Sequence, residues 1–138
     1  MADKLTFELV SPEQLLASGE AEIVTVPGTE GDMGVLAGHA PVMTSLRPGL
    51  VTANLEDGGE TNYFVRGGFA DISPVGITIL AEFAIPQKDL TREIFEDQKR
   101  IAQETYDKHQ ASGDESKAAA AQLFLDQLTQ IEQTVIAA

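Results

Sequence analysis

The glycines and prolines of this 138-residue chain are confined almost entirely to its first two-thirds. All of the 12 glycines except Gly113 fall before residue 77, and all 6 prolines lie at or before Pro86. Both residue types mark turns and are disfavoured inside long helices. The distribution therefore predicts short strands and turns first and long helices afterwards, with a boundary between residues 87 and 88.

Strand patterns recur through the first part of the chain at intervals of about ten residues. Leu5, Phe7 and Leu9 alternate with polar residues, which places the three on one face of a strand. β-branched and aromatic residues favour further strands at residues 23–26, 50–55, 63–65 and 76–81. Residues 56–59, Glu-Asp-Gly-Gly, predict a hairpin connection. Such spacing indicates an antiparallel β-sandwich or flattened barrel over residues 1–87.

A helical period replaces the alternation after Pro86. Apolar residues recur at near-helical spacing from Phe95 onwards, and either Asp89 or Thr91 can cap the start of this helix. Gly113 suits the left-handed position that follows a helix. Asp114, or Ser112 with Glu115, can then cap the next helix.

The second helix carries one continuous apolar stripe. Its members step by three and four residues and are Ala121, Phe124, Leu128, Ile131 and Val135. Two helices of similar length joined by a tight turn predict an antiparallel helical hairpin over residues 88–138. The fold class is therefore α+β, a sandwich followed by a hairpin.

Charge and cysteine content exclude several classes of function. With 22 acidic and 9 basic residues the net charge is −13, which repels nucleic acid and anionic lipid. There is no cysteine, so thiolate catalysis, Fe–S clusters and cysteine zinc sites are excluded. No apolar run is long enough to span a bilayer, and the first residues lack the layout of a signal peptide. We expect a reducing, cytoplasm-like compartment.

The segment from residue 28 to 41 is rich in glycine and contains two carboxylates and a histidine. Its glycine spacing matches neither nucleotide-binding pattern, and the carboxylates of Glu30 and Asp32 repel phosphate. Glu30, Asp32 and His39 could form a metal or acid–base site. The simpler interpretation is a tight glycine loop with solvated carboxylates.

A second glycine pair, Gly67-Gly68, follows Arg66 between two predicted strands. Paired glycines at such a place more often mark a bulge or a close backbone crossing than a ligand site. Arg66 is expected to pair with an acidic neighbour. Cysteine is absent, there are only two histidines, and no serine lies in a nucleophile elbow, so no catalytic residue is expected. No metal or cofactor is expected either.

These motifs together resemble the epsilon subunit of the F-type ATP synthase, over essentially the whole chain. The residues that carry the resemblance are Glu30-Gly31-Asp32-Met33-Gly34, Gly38-His39-Ala40-Pro41, Gly67-Gly68 and Leu80-Ala81-Glu82-Phe83-Ala84, with a helical hairpin after them. The resemblance implies a non-catalytic rotor subunit. Its sandwich docks on the gamma subunit and on polar loops of the membrane c-ring, so that ion flow is coupled to ATP synthesis.

The resemblance also implies partner-binding residues. Glu30, Asp32, Met33 and His39 are expected to face the rotor ring, where the acidic tip complements a basic ring loop. The apolar anchor in this region is expected to be Met33, Val35 or Leu36. The location implied is the cytoplasmic side of a bacterial inner membrane, where the chain is a peripheral monomer within a hetero-oligomer.

The helical hairpin departs from the family in two ways. Thr91 and Ile94 stand where ATP-binding members have Asp and Arg, so no nucleotide binding is expected. In some members the hairpin inhibits ATP hydrolysis through basic residues that meet the beta subunit. From residue 116 onwards this chain has one base, Lys117, so the hairpin is expected to be a weak regulator at most.

Two other classes of function compete with the rotor subunit. The chain could be a generic interaction module that dimerises through the stripe from Phe124 to Val135. It could also be a small hydrolase that uses Asp32 and His39.

Overall fold

The computed structural model describes residues 4–55 and 59–135. Its elements in chain order are β1 Leu5–Val10, β2 Leu15–Gly28, β3 Gly31–Val35, β4 Val42–Leu46, β5 Gly49–Leu55, β6 Glu60–Val65, β7 Gly68–Ile72, β8 Gly76–Ala81, β9 Ala84–Pro86, a 3₁₀ turn Gln87–Asp89, α1 Arg92–Ser112 and α2 Glu115–Val135. Every strand predicted from the sequence lies inside one of these strands. The hairpin predicted at residues 56–59 is consistent with the antiparallel pairing of β5 and β6, but residues 56–58 of its turn lie outside the described ones.

Strand β2 belongs to both sheets of the sandwich. Its first half pairs with β1, from Leu15 opposite Val10 to Ala21 opposite Leu5. After a register shift that follows Ala21, its second half pairs with β5 on one side and β3 on the other. Such irregularities bend a strand and let it change sheets. The sequence predicted only the second half, because residues 17–19, Ala-Ser-Gly, have low strand propensity.

The two sheets enclose the main apolar core. One sheet has the order β2–β1–β8–β7–β4 and the other β3–β2–β5–β6–β9; the two are continuous, because β2 runs through both and its Gly28 also pairs with Leu46 of β4. Neighbouring strands are antiparallel except β1 and β8, the one parallel pair among the described strands, where Phe7 lies opposite Ile77. The side chains between the sheets include Leu5, Leu9, Val24, Val51 and Ile79, all of which are fully buried.

Gly68 is a close backbone crossing, as the sequence predicted. A Cβ built on Gly68 would lie 2.0 Å from the carbonyl oxygen of Leu80, far inside contact distance. Its φ of 135° is also a value that residues with side chains rarely adopt. No other residue type fits where β7 meets β8.

The helical hairpin forms where the sequence predicts it. The Thr91 hydroxyl accepts a hydrogen bond from the Ile94 N–H at 3.1 Å, so Thr91 is the N-cap of α1. Gly113 ends α1 in the left-handed region at φ 79°. The Asp114 carboxylate accepts from the Lys117 N–H at 3.0 Å and opens α2.

A second apolar core joins the hairpin to the sandwich. Phe64 of β6 packs against Phe95 of α1 with ring centres 5.6 Å apart, and Leu128 and Val135 of α2 lie in the same cluster. Burial of side chains of this size contributes roughly 1.5–3 kcal/mol each relative to exposure. The hairpin is therefore folded on the sandwich and buries its own apolar stripe there.

Candidate functional site

The two carboxylates singled out from the sequence lie at or next to the tip of the hairpin between β2 and β3. Thr29 and Glu30 form a two-residue turn between Gly28 and Gly31, which pair across the strands. Gly31 has a φ of 141°, which favours glycine. The Thr29 N–H donates to the Ser45 carbonyl oxygen at 3.2 Å. This bond holds the tip against β4, so the carboxylates are presented on a fixed turn.

Asp32 is paired within the chain. One nitrogen of the Arg47 guanidinium donates to its carboxylate at 2.6 Å, and the other donates to the Gly28 carbonyl oxygen. The Asp32 side chain is 66% exposed, so water screens this pair. Glu30 is exposed and forms no ion pair with any residue of 4–55 or 59–135. The unbalanced negative charge of the tip therefore belongs to Glu30.

Met33 and His39 are both half-buried. Met33 lies opposite Val26 and packs against the main core. The Nδ1 of His39 lies 2.7 Å from the carbonyl oxygen of Ala40, which can only accept, so this nitrogen carries the proton and donates. Each of the two side chains thus offers a partner only part of its surface.

Asp32 and His39 lie towards opposite ends of β4. Asp32 binds Arg47, which directly follows the last residue of β4. The His39 loop is held by a bond of 2.7 Å from the Gly38 N–H to the Pro74 carbonyl oxygen, just after the end of β7 that pairs with the start of β4. Five residues of strand span about 13 Å. The geometry therefore gives no support to a hydrolase that uses this acid and this histidine together.

The sequence predicted that Met33, Val35 or Leu36 is the apolar anchor in this region. For Val35 this prediction is wrong. Val35 is fully buried in the main core, opposite Val24 on β2, because alternation along β3 points it inwards. Leu36 follows the end of the strand and is 54% exposed. Leu36 is thus the residue of this region with the most apolar surface open to a partner.

A row of apolar side chains crosses the outer face of the sheet β2–β1–β8–β7–β4, and sequence reasoning missed it. Phe69 of β7 lies opposite Leu80 of β8. On the other side of Leu80 lies Val10 of β1, which in turn lies opposite Leu15 of β2. Phe69, Leu80 and Leu15 are 51%, 48% and 53% exposed. We call these four residues the apolar row; aligned exposed apolar side chains of this kind mark interaction sites.

Arg66 connects the sandwich to α1. Its Nη1 donates to the Gln98 side-chain oxygen at 2.8 Å, and its Nη2 lies 3.9 Å from the Glu82 carboxylate. The acidic partner expected from the sequence is thereby confirmed. Gln98 is 5% exposed, so the bond is shielded from water. Beside it lies a cavity of about 190 Å³, which Phe124 of α2 also borders.

Thr91 and Ile94, the positions that depart from the family's ATP motif, both have structural roles. The Thr91 hydroxyl caps α1. The Ile94 side chain packs against the second core. Neither position offers a charged group to a nucleotide.

Glu132 ties the two helices together. Its carboxylate accepts from Lys99 Nζ at 2.8 Å and from an Arg92 guanidinium nitrogen at 3.0 Å. The hydrogen bond from Lys99 is the main reason that the pKa of Glu132 is lowered, and the same bond raises the pKa of Lys99. We call Arg92, Lys99 and Glu132 the clasp. Next to it the Gln87 side chain donates to the Val135 carbonyl oxygen at 3.1 Å.

The α2 stripe is covered by the chain itself. Leu128 and Val135 are 0% and 1% exposed, and Phe124 packs against the same second core. The dimerisation hypothesis placed the interface on this stripe, so a dimer of that kind lacks the exposed surface that it needs.

No helix within the described ranges has the length and hydropathy to cross a bilayer.

Comparison with known proteins gives consistent matches. The family profile described as "ATP synthase, Delta/Epsilon chain, beta-sandwich domain" matches residues 4–87. The chain is 46% identical to the ATP synthase epsilon chain of Parvibaculum lavamentivorans, over 98% of this chain and 100% of that one. It is 48% identical to the ATP synthase epsilon chain of Mesorhizobium japonicum, over the full length of both.

A solved structure shares the fold. It is a chain in the OSCP/F1/c-ring structure of the Euglena gracilis mitochondrial ATP synthase, which superimposes with a TM-score of 0.70 at 23% identity. The match covers 97% of this chain and 82% of that one. The arrangement of a sandwich followed by two helices is thus one that proteins of distant sequence also adopt.

Proposed function

Because the chain belongs to the family of ATP synthase epsilon chains, we propose that it is a non-catalytic rotor subunit of an F-type ATP synthase. In this role it joins the gamma subunit to the ring of membrane-embedded c subunits and passes rotation between them. Catalysis belongs to other subunits. The observation that carries the proposal is the apolar row, in which exposed apolar side chains of four neighbouring strands are aligned on one sheet face, a surface suited to a protein partner.

The apolar row is proposed to contact the gamma subunit. Phe69 lies at one end of the row and Leu15 at the other, so a partner that covers it spans four neighbouring strands. Aromatic and aliphatic side chains that become fully covered supply most of the affinity of protein interfaces. The row lies on a rigid sheet, so few groups become ordered when a partner binds, and the entropic cost of binding is low.

The hairpin tip is proposed to contact the c-ring. Glu30 carries the unbalanced charge, Asp32 is shared with Arg47, and Leu36 adds exposed apolar area nearby in sequence. Rim charges add little affinity but favour correct orientation and fast association. We therefore assign Glu30 to charge complementarity, with Asp32, Met33 and His39 as supporting contacts.

The helical hairpin is proposed to remain folded on the sandwich and to regulate hydrolysis weakly. The second core and the Arg66–Gln98 bond hold the hairpin on the sandwich, and the clasp holds the two helices of the hairpin together. From residue 116 to the end, Lys117 is the single base. An arm that is to meet an acidic segment of the beta subunit needs more positive charge than this. Thr91 and Ile94 likewise argue against nucleotide binding.

The location proposed is the cytoplasmic face of a bacterial membrane, reached through protein contacts. The net charge of −13 repels anionic lipid headgroups, so contact with the c-ring, rather than with lipid, accounts for peripheral attachment.

Co-purification with matched variants tests the gamma contact. A tagged chain is co-expressed with its ATP synthase, and the gamma subunit recovered with it is quantified. Phe69→Glu places a charge within the apolar row and is expected to lower the recovery of gamma by about tenfold or more. Leu123→Glu, at a leucine of α2 that is 58% exposed, serves as the control and should behave as wild type. Full recovery of gamma by a folded Phe69→Glu chain would contradict the proposal.

A second pair of variants tests the ring contact. Glu30→Lys reverses the unbalanced charge of the tip and is expected to reduce recovery of the c-ring while gamma remains bound. Glu22→Lys, at an exposed carboxylate elsewhere on β2, is the charge-matched control. Equal recovery of the ring by both variants would exclude Glu30 as the charge contact.

A further inference from the structure

Among the described residues, the first half of β2 has a paired strand on one side only. Residues 15–20 pair with β1 on one side, and β1 continues to β8. On the other side β2 is paired by β5 only from Ala21 onwards, so no described strand covers residues 15–20 on that side. Backbone groups along such an edge can pair with an added strand.

The usual protections of an exposed edge are weak here. Residues 15–20, Leu-Leu-Ala-Ser-Gly-Glu, contain neither proline nor lysine. A register shift opposite Val10 bends the strand only at its Leu15 end. Gly19, in the middle of the edge, has no side chain to keep another backbone away. An edge of this kind needs a cover in the assembled protein.

An open cleft of about 640 Å³, lined by polar and apolar groups in similar measure, lies along this edge between the two sheets. Its walls include Phe7 and Leu16 from one sheet and Leu55 and Tyr63 from the other. Thr61 also lines the cleft, and its hydroxyl is buried without a hydrogen-bond partner among the described residues.

The apolar row and the open edge are continuous, because Leu15 belongs to both. A partner that covers the row therefore reaches the edge without a gap. Glu20 is paired with Lys4 at 3.5 Å within the chain, so the charge at this rim that favours a basic residue of a partner segment is that of exposed Glu60, which directly precedes Thr61.

We propose that the gamma subunit adds an extended strand to the edge formed by residues 15–20, with a side chain of that strand in the cleft and a base towards Glu60. This inference rests on the proposed contact between gamma and the apolar row. The proposed strand makes that contact a shared β-sheet as well as a side-chain surface. Backbone hydrogen bonds then set the register of the gamma strand, and the cleft selects which of its side chains can be accommodated.

Amide hydrogen exchange, followed residue by residue by NMR, tests the proposal without any substitution. The full-length labelled chain is measured alone and in complex with the purified gamma subunit. The amides of residues 15–20 that exchange fast in the free chain are expected to slow by about tenfold or more in the complex. If a complex forms and Phe69 and Leu80 become protected while residues 15–20 do not, the strand is absent and the proposed gamma contact still stands. If no complex forms, both proposals fail.

A variant that fills the cleft gives a second test. A Cβ on Gly19 meets only the Phe7 ring, at 3.8 Å, so Gly19→Leu fits the fold and places its side chain in the cleft. Gamma is expected to bind this variant about tenfold more weakly, since the cleft is then occupied. Ala120→Leu, on the exposed side of α2, is the control of similar size change. Wild-type affinity of Gly19→Leu would overturn the proposal.

Discussion

Lys99 of α1 and Glu132 of α2 form an ion pair of 2.8 Å in which both side chains are more than three-quarters shielded from water. Arg92 adds a second bond to the same carboxylate at 3.0 Å. The two residues are 33 positions apart in the chain, and their contact fixes the register of one helix against the other.

The clasp predicts how the stability of the hairpin depends on pH. The pKa of Glu132 is lowered from 4.5 in the folded chain, chiefly by the hydrogen bond from Lys99. A lowered folded pKa adds stability above the unfolded pKa, and this stability is lost as the pH falls through the folded pKa. Glu132→Gln is therefore expected to lower the free energy of unfolding by about 0.5–1 kcal/mol near pH 7, and to make it less dependent on pH below 4.5. Urea unfolding at several pH values measures this.

The clasp also predicts that the stability of the hairpin falls at high pH. The pKa of Lys99 is raised from 10.5, so its contribution is present below that pH and is lost as the pH rises through the folded value. Glu104→Gln, which breaks an exposed pair with Arg100 on the same helix, is the control and should have the smaller effect. Equal effects of the two variants would show that the clasp does not hold the helices together.

Two phenylalanines should separate stability from binding. Phe95 is fully buried in the second core, so Phe95→Ala leaves a cavity and should cost about 3–5 kcal/mol of folding stability. Phe69 is 51% exposed, so Phe69→Ala should change stability by only about 0.5 kcal/mol or less while it weakens the binding of gamma. Thermal unfolding and a gamma binding assay on both variants decide this. A large loss of stability in Phe69→Ala would show that the apolar row serves the fold.

Gly68 should be the least replaceable of the glycines with positive φ. In Gly68→Ala the new Cβ meets the Leu80 carbonyl oxygen at 2.0 Å, so β7 and β8 must separate. We expect a loss of more than about 2 kcal/mol, or failure to fold. Gly38→Ala is the matched control, because it shares a positive φ but has no atom within 4 Å of the new Cβ; it should cost about 1 kcal/mol. Similar melting temperatures for the two variants would contradict this.

Removal of the hairpin should have little effect on ATP hydrolysis by the assembled enzyme. The expectation follows from the single base, Lys117, in the last 23 residues. Deletion of residues 88–138 exposes Phe64, so the deletion is combined with Phe64→Ser, and the full-length chain with Phe64→Ser is the control. A several-fold rise in hydrolysis on deletion would show that the hairpin is a strong inhibitor.

Local chemistry made much of the fold predictable. Three helix ends were predicted correctly: the N-cap at Thr91, the left-handed Gly113 and the cap at Asp114. Each of them depends only on residues within four positions along the chain, so the local sequence contains the whole signal. The alternation of Leu5, Phe7 and Leu9 predicted β1 for the same reason. Each of these signals needs no knowledge of the rest of the chain.

The surfaces were harder to predict because they depend on register between distant strands. Phe69 and Leu15 join one apolar row only through β8 and β1, and the pairings of these strands leave no mark in the sequence. The pairing of Asp32 with Arg47, 15 positions away, has the same origin, and it left Glu30 as the unbalanced charge. Val35 was misjudged because its inward direction depends on the register of β3 against β2, where it lies opposite Val24.

Strand β2 runs without a chain break through both sheets, from Leu15 to Gly28, and the turn at Glu30 begins where it ends. A sideways force applied at that turn is thus transmitted along one covalent backbone. The backbone hydrogen bonds that pair β2 with β1, β3 and β5 resist this force together. Side-chain packing between the sheets, which gives way more readily, carries little of it. A small sandwich built in this manner resists the sliding of its layers over one another.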